Sequence, residues 1–195
     1  MKKFLVVAVV ALMLAVIAGT ACAESIENRL GVTGRMGFII PADSDFNDFQ
    51  IDMDAGFIGG GGLIYGFDRN IALEFDVTHS WFDGERPSGF DMGEFSITNL
   101  AFGAQYRFAV NEPALTPYAG AGIDILINDY SGGSVDDTLG IHVSGGVDYF
   151  LTRQIALNAE VKAVAAPDAD IEGGGAGGNF DPSSISGTFG IRYFF

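Results

Sequence analysis

Ile71-Ala72-Leu73-Glu74-Phe75-Asp76-Val77-Thr78-His79-Ser80-Trp81 alternates with a period of two. Ile71, Leu73, Phe75, Val77 and Trp81 share one face, and Glu74, Asp76, Thr78 and Ser80 the other. Successive strand side chains point to opposite faces, so this stretch reads as a β-strand with one apolar side. The same alternation recurs seven more times. Phe38 and Ile40 oppose Arg35, Leu63 and Tyr65 oppose Gly62 and Gly66, and Phe102 and Tyr106 oppose Gln105 and Arg107. Further along, Ile123 and Ile125 oppose Asp124, Val147 and Tyr149 oppose Asp148, Val161 opposes Glu160 and Lys162, and Ile191 and Tyr193 oppose Arg192. The expected strands are 29–40, 55–67, 71–82, 95–108, 117–128, 139–150, 154–164 and 184–195.

A soluble sandwich would turn its apolar faces inward. Two features favour the inverse arrangement. The polar faces combine many glycines and hydroxyl residues with isolated charges of both signs, which suits the narrow lumen of a small barrel. The connections (41–54, 68–70, 83–94, 109–116, 128–138, 151–153 and 165–183) swap long for short, as in outer-membrane barrels with tight periplasmic turns. The fold expected is all-β, an eight-stranded antiparallel up-and-down transmembrane β-barrel. Closure removes sheet edges, which hydrocarbon does not tolerate. Tyr65, Phe67, Tyr106, Phe108, Tyr149, Phe150, Tyr193 and Phe195 fall beside the short turns or the C-terminus, with Trp81 and Phe82 at the opposite end. All are expected in interfacial girdles. The expected luminal charge network is Arg35, Glu74, Asp76, Arg107, Asp124, Asp148, Glu160, Lys162 and Arg192, with Arg29 on the same face.

Composition narrows the function. The 195 residues suit one domain, and 25 acidic against 10 basic side chains argue against nucleic-acid binding. A single cysteine excludes a disulfide framework and a Cys-rich metal site. Lys2 and Lys3, the apolar run 4–18 and Ala21-Cys22-Ala23 form a cleavable secretory signal over 1–23. The run is too short for a membrane anchor, and Gly19 stands where a lipoprotein signal wants leucine. Losing Lys2 and Lys3 takes the net charge from −15 to −17 for the barrel domain, 24–195.

The alternating end Phe189, Ile191, Tyr193 and Phe195 resembles the C-terminal assembly signal of bacterial outer-membrane barrels. Pro117-Tyr118-Ala119-Gly120-Ala121-Gly122 resembles the fifth-strand segment of the OmpW family. Gly146-Val147-Asp148-Tyr149, Leu157 through Lys162, Asp181-Pro182 and Gly190 through Phe194 are similar to later strands of that family. The likeness covers roughly residues 95–195, and the first half follows by pattern alone; tryptophans near the seventh and eighth strands are absent. The resemblance implies a bacterial outer-membrane location and a narrow path for small hydrophobic molecules. It also implies insertion by the assembly machinery into outer-membrane lipid and lipopolysaccharide.

Other motifs carry less. His142-x-Ser144 with Glu160 resembles the catalytic set of lipid A deacylases, but its face is luminal and the acid spacing differs, so no enzyme is expected. His79 and Ser80 point to opposite faces. Asp43-x-Asp45-x-Asn47 and Asp168-x-Asp170-x-Glu172 each lack part of a calcium loop. Gly59 to Gly62 and Gly173 to Gly178 lack the lysine of a phosphate loop. Within the long connections, stretches 41–53, 83–93, 128–138 and 165–183 hold 14 of the 25 acids against one base, Arg86. No cofactor is expected beyond Mg²⁺ or Ca²⁺ held loosely by these loops. The expected function is a structural barrel or narrow small-solute channel, monomeric. Surface adhesion through acidic loops is the alternative, and lipid modification ranks third.

Overall fold

The computed structural model describes residues 25–42, 44–46, 49–85, 91–112, 114–130, 133–172 and 178–195. The leader assigned to 1–23 lies outside the described residues, as do Asp43, Arg86 and most of the glycine run 173–178.

Thirteen strands form in chain order. They are β1 (Leu30–Pro41), β2 (Ser44–Phe46), β3 (Phe49–Met53), β4 (Gly56–Gly66), β5 (Ile71–Glu85), β6 (Asp91–Arg107) and β7 (Leu115–Tyr130). Then follow β8 (Gly133–Val135), β9 (Thr138–Phe150), β10 (Ile155–Ala165), β11 (Ala169–Glu172), β12 (Gly178–Phe180) and β13 (Ser184–Phe194). Eight of them, β1, β4, β5, β6, β7, β9, β10 and β13, pair antiparallel in sequence. β13 returns to β1, from Gly31↔Phe194 to Pro41↔Ser184, and closes the sheet. The result is an eight-stranded all-β barrel, and no helix occurs among the described residues.

Short turns close one end, and two of them are each organised by a side chain that accepts the backbone donors freed by the reversal. Asp68 Oδ1 accepts from the amides of Asn70 and Ile71, both at 2.7 Å. Thr152 Oγ1 plays the same part for Gln154 (3.2 Å) and Ile155 (3.0 Å).

The opposite end is not a set of loose loops. A membrane-crossing strand needs about 9–11 residues, yet β5, β6 and β7 have 15, 17 and 16. Their surplus projects beyond the long-loop end, where five short strands join it. β3 pairs with β5, β2 with β12, and β11 with β8. This crown is what the alternation pattern missed, because its strands are three to five residues long and carry no readable period.

The outer wall is apolar. Phe38, Met36, Ile141, Phe189 and Phe195 are each more than 60% exposed to the surroundings, as lipid-facing side chains must be. Two expected girdle aromatics turn inward instead. Phe82 and Phe150 are buried, because each follows the parity of its luminal neighbour two residues back, Ser80 and Asp148. Arg29 also departs from expectation. It lies at the short-turn rim, donating to the carbonyls of Phe195 (3.3 Å) and Phe194 (3.2 Å), with its guanidinium 5.4 Å from the Phe194 ring centre.

Candidate functional site: the barrel lumen

Inward positions on all eight barrel strands build three layers. At the short-turn end, Ile64, Ala72, Phe150, Ala156 and Phe194 pack around Ile26, which is 1% exposed. Ile26 reaches this place through a tight reversal in which Asn28 adopts φ 56° and the Arg29 amide donates to Ile26 O at 2.9 Å. Asparagine tolerates that left-handed conformation better than most residues.

The middle layer is ionic. Arg35 Nη1 donates to Glu160 Oε1 at 2.7 Å, and its Nη2 lies 2.8 Å from Glu74 Oε1 and 3.1 Å from Asp76 Oδ1. Arg192, fully buried, bridges Glu74 (2.7 Å) and Asp148 (2.9 Å). Arg107 adds a second bond to Asp148 Oδ2 at 2.7 Å. Neutral groups add further bonds. Gln105 Nε2 donates to Glu74 Oε2, Tyr118 Oη to Glu160 Oε2 at 2.8 Å, and Asn158 Nδ2 to Tyr118 Oη and Asp148 Oδ1. The Arg192 guanidinium also stands 5.1 Å from the centre of the Tyr118 ring. Charges withdrawn from water are tolerated only when paired and hydrogen-bonded in this way.

Asp124 and Lys162 stand apart from this lattice. Asp124 meets no guanidinium; it accepts from Asn99 Nδ2 (2.8 Å) and His142 Nδ1 (2.6 Å). An ionised carboxylate only accepts, so Nδ1 of His142 carries the hydrogen. His142 therefore takes its acid from the neighbouring strand, not from Glu160. Among the described residues no carboxylate lies within 4 Å of the Lys162 ammonium. Glycines on the inward face make room for this chemistry. A Cβ on Gly62 would run into Asp76 and the backbone of Phe75, and one on Gly146 would meet the Tyr118 hydroxyl.

The outer layer is apolar again. Ile39, Ile58, Phe82, Phe95, Ile97, Leu126 and Val164 from the barrel meet Met53, Val135, Ala169 and Phe180 from the crown. Phe180 lies nearly parallel to both Phe95 (5.6 Å between centres, 8°) and Phe82 (6.4 Å, 10°). Between this layer and the ionic one a cavity of about 20 Å³ is lined by Thr78, Ser80, Asn99, Lys162, Ser186 and Thr188, among others. That is room for on the order of one water.

Alternation marks the charged inward positions. It gives no warning that Tyr118, Gln105 and Asn158 complete their hydrogen bonds. Inward parity was the available signal for all three, and for the apolar residues of the end layers.

The family model for the outer membrane protein beta-barrel domain matches residues 8–193. The chain belongs to this family. It is therefore a protein of the bacterial outer membrane, with its short turns on the periplasmic side and its crown outside. Among solved structures, OprG from Pseudomonas aeruginosa aligns with a TM-score of 0.73 at 16% identity, covering 89% of this chain and 99% of that one. Neisserial surface protein A gives 0.59 at 18% identity, covering 85% and 97%. Escherichia coli outer membrane protein W gives 0.49 at 18% identity, covering 87% and 99%. No curated protein matches the chain by sequence.

Proposed function

We propose that this protein is a structural outer-membrane barrel, closed at rest, that displays a stiff acidic crown to the exterior. The supporting observation is closure of the lumen at three levels, by the Ile26 layer, the ionic lattice and the Phe180 layer. A conduit for ions or small solutes needs a continuous polar path, and here two apolar layers flank the polar one. No catalytic role is assigned: Asp124 orients His142 through Nδ1, but among the described residues no hydrogen bond joins His142 to Ser144, and His142 is buried in the lumen, away from lipid. The outward row Phe189, Ile191, Tyr193 and Phe195 is, on this reading, the segment that assembly machinery recognises during insertion. Monomeric insertion among outer-membrane lipid and lipopolysaccharide, with Mg²⁺ or Ca²⁺ loosely held by the acidic loops, belongs to the same proposal.

Planar-bilayer recording tests it. The reconstituted protein is expected to give no steady conductance. A reproducible single-channel current would replace this reading with that of a small-solute channel, which the likeness to the OmpW family favours. Presentation of the crown to a cationic partner is compatible with closure, and deletion of crown hairpins would then abolish partner binding while the barrel stays folded.

A further inference from the structure

Between its two aromatic rows the wall facing lipid is apolar except at one rung near the outer rim. In the rung where Met36, Gly59, His79 and Thr98 lie side by side, two polar side chains are adjacent on β5 and β6. His79 Nδ1 lies 2.7 Å from Thr98 Oγ1, and the Trp81 ring stands edge-on at 4.5 Å between centres. Trp81 in turn stacks on Phe57 (6.2 Å, 21°), which meets Phe38 edge to face, so an aromatic row crosses β1, β4 and β5 just above the pair. Such rows mark the level of lipid headgroups. Two residues along a tilted strand descend by roughly 5 Å. His79 therefore sits at the depth where acyl chains join their headgroups.

An ionisable or hydrogen-bonding side chain turned toward hydrocarbon is costly and marks a functional position. The protein satisfies only half of this one: Nδ1 has Thr98, whereas no described residue reaches Nε2. Lipid is what covers the wall here, and at this depth the plentiful hydrogen-bonding groups are ester and amide carbonyls, which only accept. The tautomer that suits such surroundings takes the Thr98 hydroxyl on Nδ1 and presents Nε2–H outward. A phosphate contact would call for basic residues, and every described base is either luminal or at the periplasmic end. The wall beside His79 instead carries Asp83 and Asp129 toward the outside, which would repel anionic headgroups.

We propose that His79, oriented by Thr98 and Trp81, is a binding site for the acyl carbonyl of an outer-leaflet lipid, with Nε2–H as donor. The test uses full-length folded protein with ¹⁵N-labelled histidine in nanodiscs of ester-linked dimyristoyl phosphatidylcholine, or of its ether-linked analogue, which lacks the carbonyls. His142, inside the lumen, is the internal reference. The expected result is an Nε2–H tautomer at His79 whose resonance moves between the two lipids while that of His142 stays fixed. Lipid retained through detergent exchange should favour ester over ether by roughly two- to tenfold, the range of one hydrogen bond, in the wild type. His79→Phe should lose that preference while remaining heat-modifiable on gels. Should His79→Phe not fold, Thr98→Val replaces it, and the wild-type comparison stands by itself. Equal His79 signals in both lipids, an Nδ1–H tautomer, or retention that follows headgroup charge in phosphatidylglycerol nanodiscs would each overturn the assignment.

Discussion

Arg192 has no exposed surface and serves two carboxylates on different strands, Glu74 of β5 and Asp148 of β9. Removing it leaves Arg35 as the guanidinium on Glu74 and Arg107 as the one on Asp148, with the lattice one positive charge short. Breaking a buried pair from one side costs about 3–5 kcal/mol. Arg192→Met is therefore expected to lower the unfolding free energy by about that amount in urea titrations of the lipid-reconstituted protein. Arg192→Met combined with Glu74→Gln should recover part of the loss, because the orphaned charge is gone. At this scale the sequence is half legible. Period two carries the face of a side chain, which is why Glu74, Asp148 and Arg192 can each be assigned to the lumen from their neighbours. It does not carry the partner. Glu74 and Arg192 are 118 residues apart and meet only because of the register of all eight barrel strands around the closure. Asp124 makes the point from the other side, since its partners Asn99 and His142 are an amide and an imidazole, which no count of Lys and Arg selects.

Strand identity was the more legible level, because eight long alternating runs leave little freedom in how they pair. The exceptions are instructive. Phe82 and Phe150 belong with the lumen by parity, yet their aromatic character and nearness to strand ends place them in the girdles when composition is read first. Parity wins, because a strand cannot turn one side chain outward without shifting every neighbour. The crown was illegible for a different reason. β2, β8 and β12 are three residues each and are held by pairing with other loops, as Asn179 of β12 is opposite Asp45 of β2. Phe180 shows what that pairing achieves: β12 drops an aromatic ring, 1% exposed, against two rings of the barrel that lie 6.3 Å from each other. Phe180→Ala should remove about 3–5 kcal/mol, as for a buried core phenylalanine. The loss should show as earlier protease cleavage of the crown, because the barrel strands retain their own ladders. If instead the barrel and crown melted together with an unchanged midpoint, the ring would not be holding the hairpin.

Taken whole, the molecule inverts the usual distribution, with ionic groups enclosed and large apolar side chains outside, and that inversion depends on closure. β13 carries it: one edge pairs with β1 from Gly31↔Phe194 to Pro41↔Ser184, the other with β10 from Ile155↔Tyr193 to Val164↔Ser184. Each backbone donor or acceptor left unpaired in hydrocarbon costs several kcal/mol. Ending the chain at Ser183 would expose two such edges at once and remove Arg192 and Phe194 from the ionic and periplasmic layers. No local rearrangement offsets this, since β1 and β10 were separated by a full strand. Polypeptide 24–183 is expected to show no band that shifts on boiling, whereas 24–195 refolded in detergent should migrate differently before and after heating. A heat-modifiable form of the truncated chain would mean that seven strands can close without β13, and the layered lumen described here would then not be what holds the barrel shut.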